Sequence, residues 1–466
     1  MSLSGLLAAA VKDPALAAAI DAAGAPSLTI SGPTAVQPLA IATLAAGAER
    51  LVLAVTSTGR EAEDLVATLR SLLPPDEVAL YPGWETLPHE RLSPRADTVG
   101  QRLAVLRRLR HPSSDDRASG PLAVVVAPVR SLLQPQVPGL GELVPVELRA
   151  GDAGLELTDI VADLVVAGYT RAELVEKRGD FAVRGGILDV FPPTEEHPLR
   201  VEFWGDEVEE IRYFKVVDQR SLEIATHGLW APPCRELLLT PAVQERAAQL
   251  LAEHPELSEL LDPISRGEAV EGMEALAPAL VDTLQLVLHE LPNGAHVVLC
   301  DPERVRTRAA DLVRTSEEFL DASWAAAAGG GKAPVDLGAA SLQDLAVVQA
   351  EAADLRIPWW GITTLTADAE LGAAAAASAF ERAPAYRGNT DAAMDQLRAW
   401  TRDGWQVVLV FDGHGSAQRA AERLAAADVP ARLTDEITGD GAVVEVTTGR
   451  LETGVVAPAL KLAVLT

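Results

Sequence analysis

The chain has 466 residues, too many for one hydrophobic core and enough for about three compact units. Its 48% apolar and 23% charged residues are the balance of a folded globular protein, and a formal net charge of −28 sets the chain as a whole against nucleic acid unless another segment or a partner supplies the affinity. Two cysteines, Cys234 and Cys300, stand far apart outside any C-x-x-C pattern, which argues against a structural zinc site and reads as reduced core thiols of a cytoplasmic protein.

Residues 22–48 carry no charged side chain, which invites a membrane reading. Gly24, Pro26, Gly32, Pro33 and Pro38 interrupt the ~20 continuous helical residues that spanning requires, and no Lys/Arg-led signal peptide precedes them. The segment reads instead as a helix, a buried strand at Ser27–Ile30, a turn and a second helix. Leu51–Thr56 and Val78–Tyr81 read as further buried strands. Between them Glu61–Leu72 sets Leu65, Leu69 and Leu72 on one helical side. This strand-helix-strand order predicts a parallel sheet with right-handed crossovers. Arg91–Arg110 is a further predicted helix, His111–Gly120 a polar break, and Leu122–Ala127 another buried strand.

From about Pro135 the texture changes. Leu140–Arg149 alternates like a strand and Leu157–Ala167 like a short amphipathic helix. Phe181–Val183, Gly186–Phe191, Leu199–Trp204 and Glu207–Phe214 are short strands joined by the turns Arg184-Gly185-Gly186 and Gly205-Asp206. Helices are predicted at Pro241–Glu253, Pro278–His289 and Arg304–Ala328, with a strand at Ala295–Cys300 and a boundary at Gly329-Gly330-Gly331. The rest reads as one more α/β unit: strands Trp405–Phe411, Ala431–Leu433, Val443–Thr447 and Leu460–Thr466, and a helix Ser416–Ala427 N-capped by Ser416. The last strand runs to the final residue, which reads as a piece of a longer protein. The expected division is 1–134, the first part of an α/β domain; 135–222, an inserted α+β module; 223–345, completion of the first domain; and 346–466, a C-terminal α/β domain.

An ATPase would place G-x-x-x-x-G-K-[ST] after the first strand, with backbone N–H groups cradling phosphate, a lysine neutralising it and a hydroxyl on magnesium. Here that position holds Ser31-Gly32-Pro33-Thr34-Ala35-Val36-Gln37, with no lysine and with a proline where an N–H is needed. Gly329-Gly330-Gly331-Lys332 is followed by Ala333-Pro334 and reads as a connector, not a phosphate loop. His89 and Glu90 beside Pro88 read as surface, and His289 and Glu290 as a helix end where His complements the dipole. Asp412, His414 and Ser416 share one loop, which does not fold back into a nucleophile-base-acid line. No catalytic residue, cofactor site or metal site is expected.

Two stretches carry a family resemblance. Tyr81-Pro82-Gly83-Trp84-Glu85-Thr86-Leu87-Pro88, continuing through Leu92-Ser93-Pro94 and Asp97 to Arg102-Leu103, resembles transcription-repair coupling factors after the third strand of their degenerate motor-like domain. Gly168-Tyr169, Phe181 to Pro192, Arg200 to Glu209 and Asp218 to Ser221 resemble the module that these factors share with the excision-repair protein UvrB, which docks onto UvrA. The resemblance implies an α/β fold: a degenerate P-loop, RecA-like parallel-sheet domain interrupted by a small α+β insertion, then a further α/β domain. It implies a non-catalytic part of an ATP-dependent DNA translocase that displaces stalled RNA polymerase. ATP, magnesium, DNA and the polymerase then belong to downstream modules, and UvrA is the direct partner. The alternative is a UvrB-like helicase relative that binds nucleotide. The degenerate loop at Gly32, Pro33 and Thr34 and the absence of a tyrosine-rich hairpin speak against it. Expected UvrA contacts are Arg171, Phe181, Arg184, Gly185, Asp189 and Phe191, although Phe181 and Phe191 read more readily as core than as interface. Arg184 projects from a rigid strand-turn-strand, unless it pairs internally with Asp189 or Glu202. Ala182 stands where UvrB-type sequences carry a further Arg.

Overall fold

The computed structural model of the chain describes residues 3–87, 90–113, 120–328, 342–365, 375–386, 388–439 and 441–466. Two short helices come first, α1 (Gly5–Ala10) and α2 (Pro14–Asp21), the second begun by buried Asp13, whose carboxylate accepts the N–H groups of Ala15 and Leu16 at 3.0 and 3.1 Å. Strand β1 (Thr29–Ser31) leads into α3 (Val36–Ala48), which is buried nearly all round, as its lack of charge predicts. Strands β2 (Val52–Thr56) and β3 (Val78–Leu80) flank α4 (Gly59–Leu72), and helix α5 (Ala96–Arg110) leads to β4 (Val124–Pro128) and α6 (Val129–Leu133).

Next comes the antiparallel module. Leu140–Arg149 is not one strand: Gly139 turns left-handed at φ +80, Leu140–Glu142 is a 3-10 turn, and only β5 (Val146–Leu148) pairs. Helix α7 (Leu157–Val166) is followed by β6 (Thr170–Arg171), β7 (Asp180–Arg184), β8 (Ile187–Val190), β9 (Leu199–Trp204), β10 (Glu207–Phe214), β11 (Ser221–Ile224) and β12 (Leu229–Ala231). Strands β6 to β11 form one sheet in the order β11-β10-β9-β8-β7-β6, antiparallel except for the β6–β7 pair. One face buries Phe181, Leu188, Val190, Leu199, Val201 and Ile211 under α7; the other closes a smaller cluster of Val175, Ala182, Phe191 and Phe214. Strand β12 pairs with β5, so the chain leaves the module beside the point where it came in.

Helices α8 (Pro241–Glu253), α9 (Ser258–Ser265) and α10 (Ala277–Leu280) bury a separate apolar cluster around Leu250, Leu261 and Met273. The predicted helix Pro278–His289 is absent: after α10 the chain extends, Gln285 bridges to Gln136, and Val287–Glu290 is a 3-10 turn. Backbone pairing with a distant segment wins over the local helical spacing. Strand β13 (His296–Cys300), helices α11 (Pro302–Ala328) and α12 (Leu345–Asp354), and strands β14 (Trp359–Thr363) and β15 (Ala375–Ala377) complete the first sheet. Its order is β15-β1-β14-β13-β2-β4-β3, with all pairs parallel. Trp359–Thr363 and Ala375–Ala377 therefore belong to the first sheet, and the expected boundary at 346 moves. Gly329–Lys332 lie outside the described residues.

The C-terminal sheet is mixed. It comprises β16 (Glu381–Arg382), β17 (Gln406–Phe411), β18 (Ala431–Leu433), β19 (Val444–Thr448), β20 (Val455–Ala457) and β21 (Leu462–Leu465), in the order β16-β20-β21-β17-β19-β18. One face is covered by α13 (Thr390–Arg402) and α14 (His414–Ala426). The other presents Val408, Val410, Val455 and Val464 to a core that also holds Leu3, Leu6 and Leu16. The two α/β units thus share one apolar interior. Helix α14 starts two residues earlier than expected, with extended Gly413 at its N-cap position. Ser416 instead takes a hydrogen bond from Arg419.

His296 is buried in the first sheet. Its Nε2 accepts the Gly24 N–H at 2.9 Å while Nδ1 donates to the Gly294 carbonyl at 3.1 Å, which fixes one neutral tautomer. Burial, and then the nearby Arg50 cation, hold its pKa below the ordinary histidine range. The stability that neutral His296 supports is full above about pH 6.5 and is lost as pH falls through the depressed folded value. Wild type is expected to lose more unfolding free energy between pH 7.5 and 5 than His296→Asn does. Urea titrations at both pH values check this, and parallel profiles would refute it. The two thiols are inert by contrast: burial pushes both Cys234 and Cys300 up to about 12.

Candidate functional site

The hairpin β7–β8 turns on Gly185, whose φ of +62 is a conformation that L side chains rarely adopt. Directly opposite residues share a face of a sheet, so Arg184, Ile187 and Glu202 form one row across β7, β8 and β9. Ala182, Asp189 and Arg200 form the next row inward. Arg184 is exposed, and its Nη2 donates to the Glu173 carbonyl at 2.6 Å, which steadies the guanidinium and leaves its other N–H groups outward. Arg171 is also exposed, on the edge strand β6 opposite Phe181. Arg184 does not take the internal pairing with Asp189 or Glu202 weighed above. Arg200 holds Asp189 in a two-point fork at 2.7 and 2.8 Å, and its guanidinium lies 4.8 Å from the Phe214 ring centre.

Three expected contacts need correction. Phe181 is 0%, Asp189 3% and Phe191 6% exposed, so none of them presents a side chain to a partner. Phe181 fills the core under α7, Asp189 is spent on Arg200, and Phe191 packs on the opposite face beneath Arg178. They support the strands that carry Arg184 and Gly185 at the hairpin and Arg171 at the sheet edge, on the face of Phe181. Sequence reasoning missed Trp204, 78% exposed at the end of β9 on the face of Arg200 and Glu202. The signal was there: alternation puts Val201 and Phe203 inward and therefore Trp204 outward. An exposed tryptophan beside an arginine has the composition of an interface hot spot.

The Tyr81–Trp84 stretch works as an anchor. Tyr81 donates its hydroxyl to Gln136, Pro82 gives its carbonyl to Arg102 at 2.9 Å, and Trp84 donates its indole N–H to Glu236 at 3.0 Å. Arg102 and Glu236, 0% and 2% exposed, form a two-point ion pair at 2.5 and 3.2 Å. Burial disfavours the Arg102 cation most strongly, but Glu236, Tyr81 and Glu85 together outweigh it and raise the pKa. One residue earlier, Arg235 binds Glu274 at 2.7 Å and Ser93 at 3.1 Å. The chain leaving the module is therefore clamped to the first domain at two consecutive residues. Glu90 accepts the N–H of Leu87; Pro88 and His89 lie outside the described residues.

At the position of a phosphate loop, β1 and α3 are joined by Gly32–Ala35 alone. The Gly32 N–H is used on the Thr363 carbonyl at 3.0 Å and Pro33 has none to offer. The adjoining cleft is lined by Glu61, Asp64, Asp301 and Glu452, with one cation, Arg304, which is paired to Glu61. Leu451 and Thr453 from the C-terminal unit close one wall. Elsewhere, His289 contacts Glu351 from a 3-10 turn and not a helix end, and Glu290 pairs with Arg110 at 2.6 Å. Among the described residues no three His, Cys, Asp or Glu gather as a metal site, and no helix is long and apolar enough to cross a membrane.

Comparison with known proteins bears on the same region. Residues 146–232 match the family model of the UvrB interaction domain, from the start of β5 to just past β12. All of this chain aligns at 46% identity with the transcription-repair-coupling factor of Mycobacterium tuberculosis, covering 39% of that protein. The transcription-repair-coupling factor of Bacillus subtilis is 26% identical over 58% of this chain and 24% of its own length. The UvrABC system protein B of Synechococcus elongatus is 27% identical over 49% of this chain and 36% of its own length. The chain thus spans about two fifths of the mycobacterial relative it matches throughout.

Proposed function

We propose that this chain, similar over its whole length to part of the transcription-repair-coupling factors, is a recruitment piece of transcription-coupled excision repair that docks UvrA through β6–β9 of its antiparallel sheet. One coincidence carries the reading: the residues matching the UvrB interaction domain are those that raise Arg184, Arg171 and Trp204 on a rigid, clamped sheet. Contact with DNA and RNA polymerase falls to the remainder of a longer, ATP-driven translocase, in the cytoplasm. The acidic balance of this chain supports that division. Titration of the purified chain with UvrA tests the proposal. Saturable binding that weakens with salt is the expected result, and no binding by the folded chain would refute it.

The chain itself is proposed to be no ATPase. A spent Gly32 N–H, a proline at 33 and a carboxylate-lined cleft are poor company for a triphosphate. A ligand at a hundred times its Kd adds ~2.7 kcal/mol of stability, enough for an evident rise in Tm. No rise is expected with millimolar ATP and magnesium. A rise abolished by substitutions in Ser31–Gln37 would favour the nucleotide-binding alternative.

A further inference from the structure

A second site lies in the C-terminal unit, away from the docking sheet. Helices α13 and α14 cover the same face of the mixed sheet, and between them a cleft of about 620 Å³ opens at the carboxyl ends of β17 and β21. That volume is in the range of small-molecule sites, and the crevice beyond strand carboxyl ends is where α/β sheets commonly take ligands. Its floor is apolar, made by Leu397, Leu409, Phe411 and Leu465. Its rim carries three arginines from two directions: Arg382 from β16, and Arg419 and Arg423 one helical turn apart on α14.

The charge pattern is unusual for this chain. It has 67 acidic against 39 basic residues, yet none of the three arginines forms an ion pair with a described residue, and Glu452 is the one acidic side chain on a lining that also includes Thr466. Tyr386 lines the cleft too, and its hydroxyl is buried without a hydrogen-bond partner among the described residues. An orphaned hydroxyl is costly, and a wall of guanidinium groups without a carboxylate partner, Arg419 donating only to the Ser416 hydroxyl, has one natural complement over an apolar floor. We propose that this cleft binds a small organic anion: an apolar or aromatic body seated on Leu397, Leu409 and Phe411, with a carboxylate or phosphate held by Arg382, Arg419 and Arg423.

The probe is 1-anilinonaphthalene-8-sulfonate, added to the full chain and followed by fluorescence. One saturable site per chain is expected, with affinity at least tenfold weaker in the Arg419→Ala/Arg423→Ala double variant at unchanged circular dichroism. Both arginines are exposed, so the fold does not depend on them. Neutral N-phenyl-1-naphthylamine, which keeps the rings and drops the anion, should be insensitive to the same substitutions. 1-Naphthoate and 1-naphthyl phosphate should displace the dye, and their order tells carboxylate from phosphate. Equal dye affinity in wild type and double variant would overturn the assignment. So would displacement by an acidic, leucine-containing peptide and by neither aryl anion, which would give the cleft to protein docking.

Discussion

Glu236→Ala is expected to lower the unfolding free energy by about 3–5 kcal/mol, the largest effect of any single substitution described for this chain. The argument is one of stranded charge. Arg102 is wholly buried and loses both arms of its fork when the carboxylate is removed. What remains for it is the Pro82 carbonyl, a long contact to Gln136 at 3.3 Å and the Tyr81 ring 4.3 Å below. Trp84 loses its indole acceptor in the same step. A cation cannot be left there without several kcal/mol of desolvation, whereas replacing both charges with apolar groups of similar size removes most of that cost. Arg102→Met/Glu236→Leu is therefore expected to be more stable than Glu236→Ala alone. Urea midpoints of the three proteins decide it. A Glu236→Ala loss under about 1 kcal/mol, the value of an exposed pair, would mean that water reaches the site.

Arg184→Ala is expected to weaken UvrA binding about thirtyfold, or ~2 kcal/mol, with the module still folded. A guanidinium that has spent one N–H on Glu173 keeps the rest for a partner carboxylate, and lysine cannot reproduce a forked contact. Arg184→Lys should recover only part of the loss. Arg171→Ala should weaken binding as well, non-additively if both arginines meet one acidic patch. Calorimetric titration with circular dichroism on each variant makes the test. A folded Arg184→Ala chain that binds like wild type would move the docking surface elsewhere, with Trp204 the next residue to try.

Much of this is legible in the sequence alone. Leu199–Trp204 and Glu207–Phe214 fall on the predicted residues because their apolar pattern and the Gly-Asp turn between them mark a hairpin, whereas the bulge that shifts the register between Val208 and Glu210 has no such signal. The parallel sheet followed from strand-helix order. What failed did so where distant partners decide. Pro278–His289 has helical spacing, but Gln285 is claimed by Gln136, a hundred and more residues away. Strand β14 is not among the expected elements, and nothing local assigns it to the first sheet; Trp359 and Trp360 are placed by β13. At the site, Asp189 looked like a contact because its partner Arg200 lies on the next strand, across a turn. The Tyr81–Trp84 stretch was recognisable as a pattern, but its role as an anchor needed Arg102 and Glu236 brought together from far apart in the chain.

The two-stranded ladder of β5 and β12 has a consequence for how such a protein could have been assembled. Val146 sits opposite Ala231 and Leu148 opposite Leu229, so some eighty intervening residues begin and end as neighbours. To the host sheet they are a closed loop, and lengthening a closed loop costs little conformational entropy. A unit with adjacent ends can be spliced into a surface connection without disturbing the register of the strands on either side. The clamps at Arg235 and Glu236 then fix the orientation of a unit that the ladder alone would leave tethered.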